Sequence, residues 1–483
     1  METASFKFCG DVKDVLALFS GEPYPFLLES SLRTPGLGRY SFLGFNPAEI
    51  FASSAPTALT DLRAKAALYR LAPSEQQAAG PWPFWGGWVG YVSYDWTLGL
   101  ENIAPRTLPN GRPGCHFGFY PTVIVVDHTQ QTLMVVASGF PEQSVEGRRR
   151  KAQQDLAATV RRLRVAEEEG LLVPAREDGR GRVVGLTATT ESNGESVPLQ
   201  SNFSRLEYLA AVQRAKGYIT RGDIYQVNLS QRLSCEFSSG ETPDAIRLYR
   251  CLSDVSPACF SGYLSVGDWQ IVSSSPERFL CLRGKRVETR PMKGTRPRGR
   301  NPTDDRVARE ALEESSKEKA ELLMITDLLR SDLGRVCRYG SVQIPALRTL
   351  EPYRNVWQAT STVTGELADG RDGFDLLVNC LPGGSVTGCP KIRSLQIISE
   401  LEPTPRFVYT GILGYINFNG DMDFNVLIRS MVCEPSRISF HVGGGIVADS
   451  DPAAEYEETL VKAVGMKQAL AQACGHRVDA LLR

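Results

Sequence analysis

Short turns between apolar segments near the C-terminal end constrain the fold most strongly. Segments 411–417, 424–433 and 437–442 are predicted strands, and the turns between them, at Asn419-Gly-Asp421 and Glu434-Pro-Ser436, are short. Turns this short join antiparallel neighbours, whereas parallel strands need a long crossover. The sequence therefore predicts an antiparallel meander here, and an α+β fold rather than alternating βαβ units.

The rest of the chain divides into three regions. Residues 5–140 are predicted to form a strand-rich N-terminal region. Residues 141–202 combine a charged helix with a linker, 170–202, rich in Gly, Ser, Thr and Arg. Residues 203–470 carry the motifs discussed below and open with a capping box at Ser204. Predicted elements are a hairpin over 122–138, a helix over 146–169, strands over 226–233, 270–279 and 286–290, and helices over 303–333, 390–402 and beyond 452.

Composition excludes several classes of protein. The 483 residues suggest two or three domains or one large composite domain, and 42% of them are hydrophobic, as in ordinary globular chains. The net charge of −1 provides no field for nucleic acid or an anionic membrane. Eleven cysteines without metal-site spacing, no secretory signal and no membrane-spanning apolar run lead us to expect a cytoplasmic protein with reduced thiols.

A basic segment, Glu288-Thr-Arg-Pro-Met-Lys-Gly-Thr-Arg-Pro-Arg298, contains one lysine among arginines. Guanidiniums around Lys293 would make its charged form costly, which predicts a neutral amine able to act as a nucleophile. The alternative is a basic loop on a solvated face, and the segment by itself favours that alternative. The remaining motifs reverse the preference.

Two pairs of glutamates have the spacing of one helix face. Glu318 and Glu321 are three residues apart, and Glu455 and Glu458 repeat this spacing on the last predicted helix. Two such pairs facing each other would offer the hard oxygen ligands that Mg²⁺ prefers. Because glutamate pairs are also common on solvated helices, the spacing alone favours a charged surface.

Other candidates come from a strand end and from glycine-rich segments. Glu277 follows Ser274-Ser-Pro276 and is a candidate acid, or else an exposed strand-end glutamate. Pro382–Lys391 is not a P-loop, because Cys389 stands where the lysine should be. That segment and Gly443–Gly445 could still bind a carboxylate through backbone amides, or be tight turns only. None of the four histidines lies beside a nucleophile motif, so a Ser/His/Asp triad or a histidine zinc site is not expected.

The motifs occur together in the order of a known family. They are Ser275-Pro-Glu277, Glu288–Arg298, Asp327-Leu-Leu-Arg-Ser-Asp-Leu-Gly-Arg335, Pro382-Gly-Gly-Ser-Val-Thr-Gly388, Gly411-Ile-Leu-Gly-Tyr415 and Asp451-Pro-Ala-Ala-Glu-Tyr-Glu-Glu458. The chain resembles the chorismate-utilising enzymes, a family of anthranilate, aminodeoxychorismate, isochorismate and salicylate synthases. The resemblance is strongest over 203–467 and weaker over 5–140. It implies one α/β sandwich of two large, mostly antiparallel sheets with helices outside, to which both regions contribute.

Three positions distinguish the members of this family. Gln226 stands where the isochorismate and salicylate synthases have a water-activating lysine, which argues against those activities. Lys293 stands where anthranilate synthases usually have alanine, and a lysine there resembles aminodeoxychorismate synthase. Gln358 stands where many members have histidine, which argues against pyruvate elimination. The resemblance implies an aminodeoxychorismate synthase component I, which supplies 4-aminobenzoate and folate synthesis. Anthranilate synthase component I and a non-catalytic chorismate- or tryptophan-binding subunit remain the alternatives.

The resemblance also implies roles for individual residues. Glu321 and Glu458 would ligate Mg²⁺, with Glu318 and Glu455 acting through water, and Mg²⁺ would hold the ring carboxylate of chorismate. The implied catalytic residues are Lys293 and Glu277, and the implied substrate-binding residues are Gln226, Gly294, Thr295, Gln358, Tyr409, Arg429, Gly443, Gly444, Gly445 and Lys462.

A second ligand site and a partner are implied as well. Leu27-Leu-Glu-Ser30 and Arg39-Tyr-Ser41 resemble the place where family members hold tryptophan, but Pro257-Ala-Cys259 departs from the family pattern and argues against it. Ammonia would come from a separate glutamine amidotransferase subunit in a heterodimer, because no glutaminase Cys/His/Glu set is seen. The tryptophan-site-like residues are Ser30, Arg39, Tyr40, Ser41, Cys259, Phe260 and Ser261.

Overall fold

A computed structural model describes nine ranges of the chain. These are residues 1–33, 36–71, 75–76, 80–172, 196–238, 240–299, 301–353, 356–475 and 477–480. Most of the predicted linker 170–202 therefore lies outside the described residues. Within these ranges, no helix combines the length and apolarity that a membrane crossing requires.

The helices begin largely at capping residues, as the sequence predicts. They are α1 Val12–Leu18, α2 Ala58–Leu68, α3 Tyr94–Thr97, α4 Val145–Glu168, α5 Arg205–Thr220, α6 Ala245–Val255, α7 Pro302–Glu314, α8 Ser316–Gly334, α9 Gly373–Cys380, α10 Lys391–Leu401 and α11 Pro452–Cys474. The capping box of α5 is confirmed: Ser204 and Glu207 each accept the other's backbone N–H. The single helix predicted over 303–333 is wrong, because Ser315 ends α7 and its hydroxyl caps α8 at Glu318.

The strands of the described residues are short and numerous. They are β1 Glu2–Lys7, β2 Phe26–Glu29, β3 Tyr40–Gly44, β4 Glu49–Ser53, β5 Gly87–Val92, β6 Cys115–Tyr120, β7 Thr122–Asp127, β8 Thr132–Ala137, β9 Ser196–Ser201, β10 Gln226–Glu236, β11 Phe260–Ser265, β12 Gln270–Ser275, β13 Arg278–Arg283, β14 Arg286–Arg290, β15 Met292–Pro297, β16 Gln343–Pro352, β17 Val356–Glu366, β18 Gly388–Cys389, β19 Ile412–Asn417, β20 Met422–Val426, β21 Ser430–Glu434, β22 Arg437–Ile446 and β23 Arg477–Ala480. The predicted hairpin is confirmed as β7 and β8.

Among the described residues these strands form two large sheets. The first has the order β1-β8-β7-β3-β2-β11-β12-β21-β22-β10-β9-β23, with β18 also beside β10. The second has the order β15-β17-β14-β13-β20-β19-β5-β6-β4, with β16 also beside β17. The pairs within them are antiparallel, apart from parallel β9 and β23. The predicted α+β architecture of two mostly antiparallel sheets is confirmed, and strands from both ends of the chain enter each sheet.

Two apolar layers hold the sheets in place. The larger cluster draws buried rings from both sheets, including Phe26 and Phe42 of the first and Phe117 and Phe424 of the second. A second cluster covers the other face of the first sheet, where α6 and α11 pack. Each buried aromatic or aliphatic side chain of this kind stabilises the fold by about 1.5–3 kcal/mol. Helix α8 packs against β15 and β17 of the second sheet.

Two of the points at which the chain passes from one sheet to the other lie side by side. Pro276 and Glu277 join β12 of the first sheet to β13 of the second, and residues 427–429 join β20 of the second to β21 of the first. The two crossings bond to each other, because Val426 N donates to Glu277 O at 3.1 Å and Ser274 N donates to Arg429 O at 3.1 Å. The single strands predicted over 270–279 and 424–433 are therefore wrong: each divides between the sheets.

Candidate active site

Glu277 is buried at the first of these crossings. Its side chain is 4% exposed, so the alternative of an exposed strand-end glutamate is wrong. Ser385 Oγ donates a hydrogen bond of 2.5 Å to Glu277 Oε1. Burial raises the pKa of Glu277 to about 7, against the opposing effects of the Ser385 hydroxyl and the Lys293 charge. A carboxyl group that keeps its proton near neutral pH is suited to act as a general acid.

Ser385 holds this carboxyl from a short 3₁₀ turn, Gly384–Val386. The turn is fixed to the first sheet by Asn228, whose Nδ2 donates to Ser385 O at 2.9 Å and whose backbone N donates to Thr387 O at 2.7 Å. Sequence reasoning missed the roles of Ser385 and Asn228. The signal for Ser385 was its place in the glycine-rich motif, which was considered only as a backbone anion site.

Lys293 lies on β15 and forms an ion pair instead of facing unpaired guanidiniums. Its Nζ is 2.9 Å from Glu321 Oε2 on α8. The neighbouring arginines are neutralised as well: Arg290 pairs with Glu351, Arg296 with Glu318 at 3.1 Å, and Arg298 with Asp305 at 2.6 Å. The electrostatic premise for a neutral lysine is therefore wrong, since each charge in the segment has a carboxylate partner. The position of Lys293 still brings its amine to the place where the sheets meet.

Gly445, on β22, lies where side chains from the two sheets approach each other. A Cβ atom on Gly445 would lie 2.8 Å from Lys293 Nζ, 2.9 Å from Gln226 Nε2 and 3.0 Å from Asn228 Oδ1. The amine from the second sheet thus approaches two side chains of β10 in the first sheet. Gln226 is 1% exposed, and its Oε1 has no hydrogen-bond partner in the described part of the chain. A buried amide oxygen without a hydrogen-bond partner can accept a hydrogen bond from a bound molecule.

One lysine, Lys317, interacts electrostatically with members of both glutamate pairs. Lys317 Nζ is 3.9 Å from Glu321 Oε1 on α8, and its charge also acts on Glu455 and Glu458 of α11. Burial raises the pKa of Glu455, which accepts a hydrogen bond of 2.6 Å from Ser450 Oγ. Burial would raise the pKa of Glu458 too, but Lys462 and the other lysines hold it below its usual value. The sequence did not single out Lys317.

Among the described residues, no group of three or more His, Cys, Asp or Glu side chains could by itself hold a metal ion. Mg²⁺ is often held by only one or two carboxylates, with water and substrate oxygens completing its shell. One buried carboxylate, Glu321, and one half-exposed carboxylate, Glu458, both near Lys293, fit that donor set. In this structure lysine ammonium groups provide the positive charge beside them.

Tyr409 and Arg429 lie beside the second crossing. Arg429 has a left-handed backbone (φ 50°), burial lowers its pKa, and none of the described carboxylates lies within 4.0 Å of it. The ring of Tyr409 stacks on His441 at 5.1 Å. An unpaired, half-buried guanidinium can take a carboxylate through two hydrogen bonds. The positions of both residues are compatible with the substrate-binding role that the resemblance implies.

The remaining substrate-binding candidates lie on the strands around Lys293 and on helix α11. Lys462 Nζ bonds to Gly443 O at 2.9 Å and pairs with Glu458 at 2.7 Å, and a Cβ on Gly444 would lie 3.1 Å from Glu455 Oε2. Thr295 and Gln358 are register partners on β15 and β17, and Gln358 Oε1 is a second buried oxygen without a described partner. Gly294 has φ 94°, and a Cβ there would lie 2.8 Å from Glu318 Oε2.

Comparison with known proteins places this geometry in a family. A family model described as chorismate binding enzyme matches residues 24–468. The chain belongs to the chorismate binding enzymes. It is 36% identical to anthranilate synthase component 1 of Streptomyces coelicolor, over 93% of this chain and 84% of that protein. It is 35% identical to aminodeoxychorismate synthase component 1 of Bacillus subtilis, over 80% of this chain and 77% of that protein.

Among solved structures, it matches anthranilate synthase component I from Streptococcus pneumoniae with a TM-score of 0.74. The two are 28% identical, and the match covers 90% of this chain and 93% of the other. The two-sheet architecture is therefore that of chorismate-utilising enzymes. The protein is an enzyme of this family that acts on chorismate.

The tryptophan-site-like residues of this chorismate binding enzyme fall into two groups. Ser30 Oγ donates to Cys259 O at 2.5 Å, and the hydroxyl of Ser261 is 2.9 Å from that of Ser31. Cys259 and Phe260 belong to an apolar cluster with Met292, the residue before Lys293. The second group is Arg39, Tyr40 and Ser41. The guanidinium of Arg39 donates two hydrogen bonds to the carboxylate of Asp127, and Ser41 Oγ lies 2.7 Å from His128 Nε2.

Proposed function

We propose that this chorismate binding enzyme is an aminodeoxychorismate synthase component I, which makes 4-amino-4-deoxychorismate from chorismate and ammonia. The observation that carries the proposal is the position of Lys293. Its Nζ lies where β15 of one sheet meets Gln226 and Gly445 of the other, and its charge acts on the buried Glu277. A nucleophilic amine and a protonated carboxyl are thereby available to one bound substrate. The similarity to the Bacillus subtilis relative supports this choice.

Glu277 and Lys293 would share the first half of the reaction. As the Lys293 amine forms a bond to C2 of chorismate, both ring double bonds shift, from C1=C2 to C1=C6 and from C5=C6 to C4=C5, and the C4 oxygen departs as water with the proton from Glu277. Ammonia then forms a bond to C4, both double bonds shift back to C5=C6 and C1=C2, and the C2–N bond to Lys293 breaks. Two easier displacements replace one difficult displacement, which is the general advantage of covalent catalysis.

Other groups would orient chorismate during these steps. Arg429, whose guanidinium has no described carboxylate partner, would take one substrate carboxylate, and Tyr409 would lie beside it. The backbone amides of Gly443–Gly445 and Lys462 would contact the ring carboxylate. Glu321 and Glu458 would hold Mg²⁺, which when bound supplies positive charge for that carboxylate. Burial at the junction of the sheets would keep bulk water away from C4.

A separate glutamine amidotransferase subunit would supply the ammonia. The component-1 names of the relatives support a two-component enzyme. We propose a heterodimer in the cytoplasm in which this chain provides the chorismate site and its partner provides glutaminase activity. Free ammonium salts should replace the partner in the assays below.

Anthranilate synthase component I is the second candidate. More of the similar proteins carry that name, and the Streptomyces coelicolor relative is matched over a larger share of both chains. Against it stand two residues of this chain. Lys293 would occupy C2, the carbon that anthranilate formation aminates, and Gln358 provides no group that titrates near neutral pH to assist elimination.

The product of the purified chain discriminates between the two candidates. With chorismate, Mg²⁺ and an ammonium salt, we expect a non-fluorescent amino-chorismate, which an added aminodeoxychorismate lyase converts to 4-aminobenzoate. Direct appearance of fluorescent anthranilate would refute the proposal in favour of the second candidate. Omitting ammonium, with mass spectrometry of the quenched protein, should reveal a chorismate-derived adduct on Lys293.

A double variant tests whether the two residues direct the product. Lys293→Ala with Gln358→His makes both positions resemble the anthranilate synthase pattern. If these residues set regiochemistry, the variant loses the C4 amine or gains a trace of anthranilate. Unchanged formation of the C4 amine would show that other residues direct amination, and the two single variants would show which substitution matters.

A further inference from the structure

A second polar pocket lies beside the candidate active site on the same face of β10 and β22. Arg232 and His441 are register partners there, two residues along each strand from Ser230 and Gly443. Tyr409 lines this pocket as well. The polar residues that line the pocket are Arg112, Arg232, Arg406, Tyr409, Ser430, Glu434, Arg437, Ser439 and His441.

The pocket carries an excess of positive charge. Glu434 pairs with both Arg112 and Arg437, the latter at 2.7 Å, so one carboxylate serves two guanidiniums. Arg232 is half-buried, and none of the described carboxylates lies within 4.0 Å of it. Arg406, which also lines the pocket, pairs with Glu402 at 2.7 Å, so the four guanidiniums have two carboxylates as ion-pair partners. Glu434 and Glu236 act on Arg232 only from beyond ion-pair distance. Keeping Arg232 charged in this position is costly, because burial and Arg437 both lower its pKa.

His441 adds an unpartnered acceptor to the pocket. The ring is 8% exposed, and its Nε2 has no hydrogen-bond partner among the described residues. The other ring nitrogen bonds to the backbone of Pro405, and since proline has no N–H, the ring must donate to the carbonyl. Burial lowers the pKa of His441, so the ring is neutral. Nε2 therefore presents a lone pair and needs a donor.

We propose that the pocket binds a hydrogen-phosphate ion. Its charged oxygens would accept hydrogen bonds from the fork of Arg232, for which guanidinium geometry is well matched, and from the guanidinium edge of Arg437 that Glu434 leaves open. Its remaining P–O–H would donate to Nε2 of His441. One ligand would then satisfy the excess positive charge and the buried acceptor. Sulfate and the dianion of a phosphate monoester match the charge but have no proton to donate, so both should bind more weakly.

Calorimetric titration of the purified chain with inorganic phosphate, sulfate and methyl phosphate at mildly alkaline pH tests this proposal. Phosphate should bind about tenfold more tightly than either comparison ion, since each charge-assisted hydrogen bond contributes on the order of a tenfold factor. Arg232→Gln should weaken phosphate binding about tenfold. His441→Phe, which keeps the ring stacked on Tyr409, should bring phosphate down to the affinity of sulfate.

Arg338→Gln serves as the matched control, because Arg338 is an exposed arginine paired with Glu366 away from the pocket. Its phosphate affinity should equal that of the unsubstituted chain. Equal affinities for phosphate and sulfate, or an Arg232→Gln variant that binds phosphate as the control does, would overturn the proposal. Thermal unfolding of each variant confirms that the titrations compare folded proteins.

Discussion

Lys293 Nζ lies 2.9 Å from Glu321 Oε2, so the proposed nucleophile and a proposed magnesium ligand are ion-pair partners. The carboxylate of Glu321 cannot serve a lysine ammonium and a divalent cation equally well. A cation that takes Glu321 would leave Lys293 without its ion-pair partner and so free its amine to contact the substrate. The sequence alone had attributed a neutral Lys293 to the arginines, each of which is paired with another carboxylate.

Glu321→Gln should therefore remove magnesium dependence as well as activity. Loss of one of two carboxylates from a Mg²⁺ site should weaken Mg²⁺ binding at least tenfold, measured by titration calorimetry without substrate. Activity with chorismate and ammonium should fall by about two orders of magnitude or more. Glu310→Gln, on the exposed part of α7, is the control. If Mg²⁺ affinity stays unaltered in the Glu321 variant, the assignment of this ligand is wrong.

The pH dependence of kcat/KM should report the protonation of Glu277. Its pKa is raised to about 7, and a general acid must be protonated, so activity should fall as the pH rises through that value. The hydrogen bond from Ser385 stabilises the carboxylate and opposes the rise in pKa. In Ser385→Ala the alkaline limb should move to higher pH, whereas Ser385→Thr keeps a hydroxyl and should move it less. An identical limb in all three proteins would exclude this role for Ser385.

Gly445→Ala should damage the site without unfolding the chain. The added Cβ would lie within 3.0 Å of Lys293 Nζ, Gln226 Nε2 and Asn228 Oδ1, so these polar atoms must move. We expect a loss of activity of about a hundredfold, because small displacements of reacting groups have effects of that size. Gly465→Ala on α11 is the control, since its Cβ meets Ser256 only at 3.4 Å and alanine favours a helix by about 1 kcal/mol. Comparable activity losses in both variants would contradict the prediction.

Lys391 ends the glycine-rich motif and forms a buried ion pair. Its Nζ is 2.6 Å from Asp332 Oδ2, with both side chains at most 4% exposed. Removing one partner leaves a buried charge, so Lys391→Met should lower the free energy of unfolding by about 3–5 kcal/mol. The double variant Lys391→Met with Asp332→Leu should recover much of that loss. Urea denaturation of the single and double variants measures these free energies of unfolding. Equal destabilisation of the two variants would show that the unpaired charge of Asp332 does not cause the loss of stability.

Local sequence patterns were sufficient to predict much of the fold. Helix α5 begins at the predicted capping box and α11 follows Asp451 as predicted, because capping and hydrophobic periodicity act over a few residues. Antiparallel pairing was predictable from short turns such as Glu434-Pro-Ser436, which joins β21 to β22. Prediction failed where one strand-like segment leaves one sheet for the other, as over 424–433. Such a segment has apolar residues on both sides of the crossing. The hydrophobic periodicity therefore does not show where the chain leaves one sheet and enters the other.

The sequence by itself determined which chemical groups the protein has, their order along the chain and the elements that carry them. Only the tertiary structure decided how those groups pair. Glu277 became buried beside Ser385 because β12 and β13 lie in different sheets, and Lys293 met Glu321 because α8 packs on β15. Charge neutralisation and burial depend on distances between residues far apart in sequence. A cluster of arginines therefore does not reveal whether a carboxylate from a distant helix will pair with each of them.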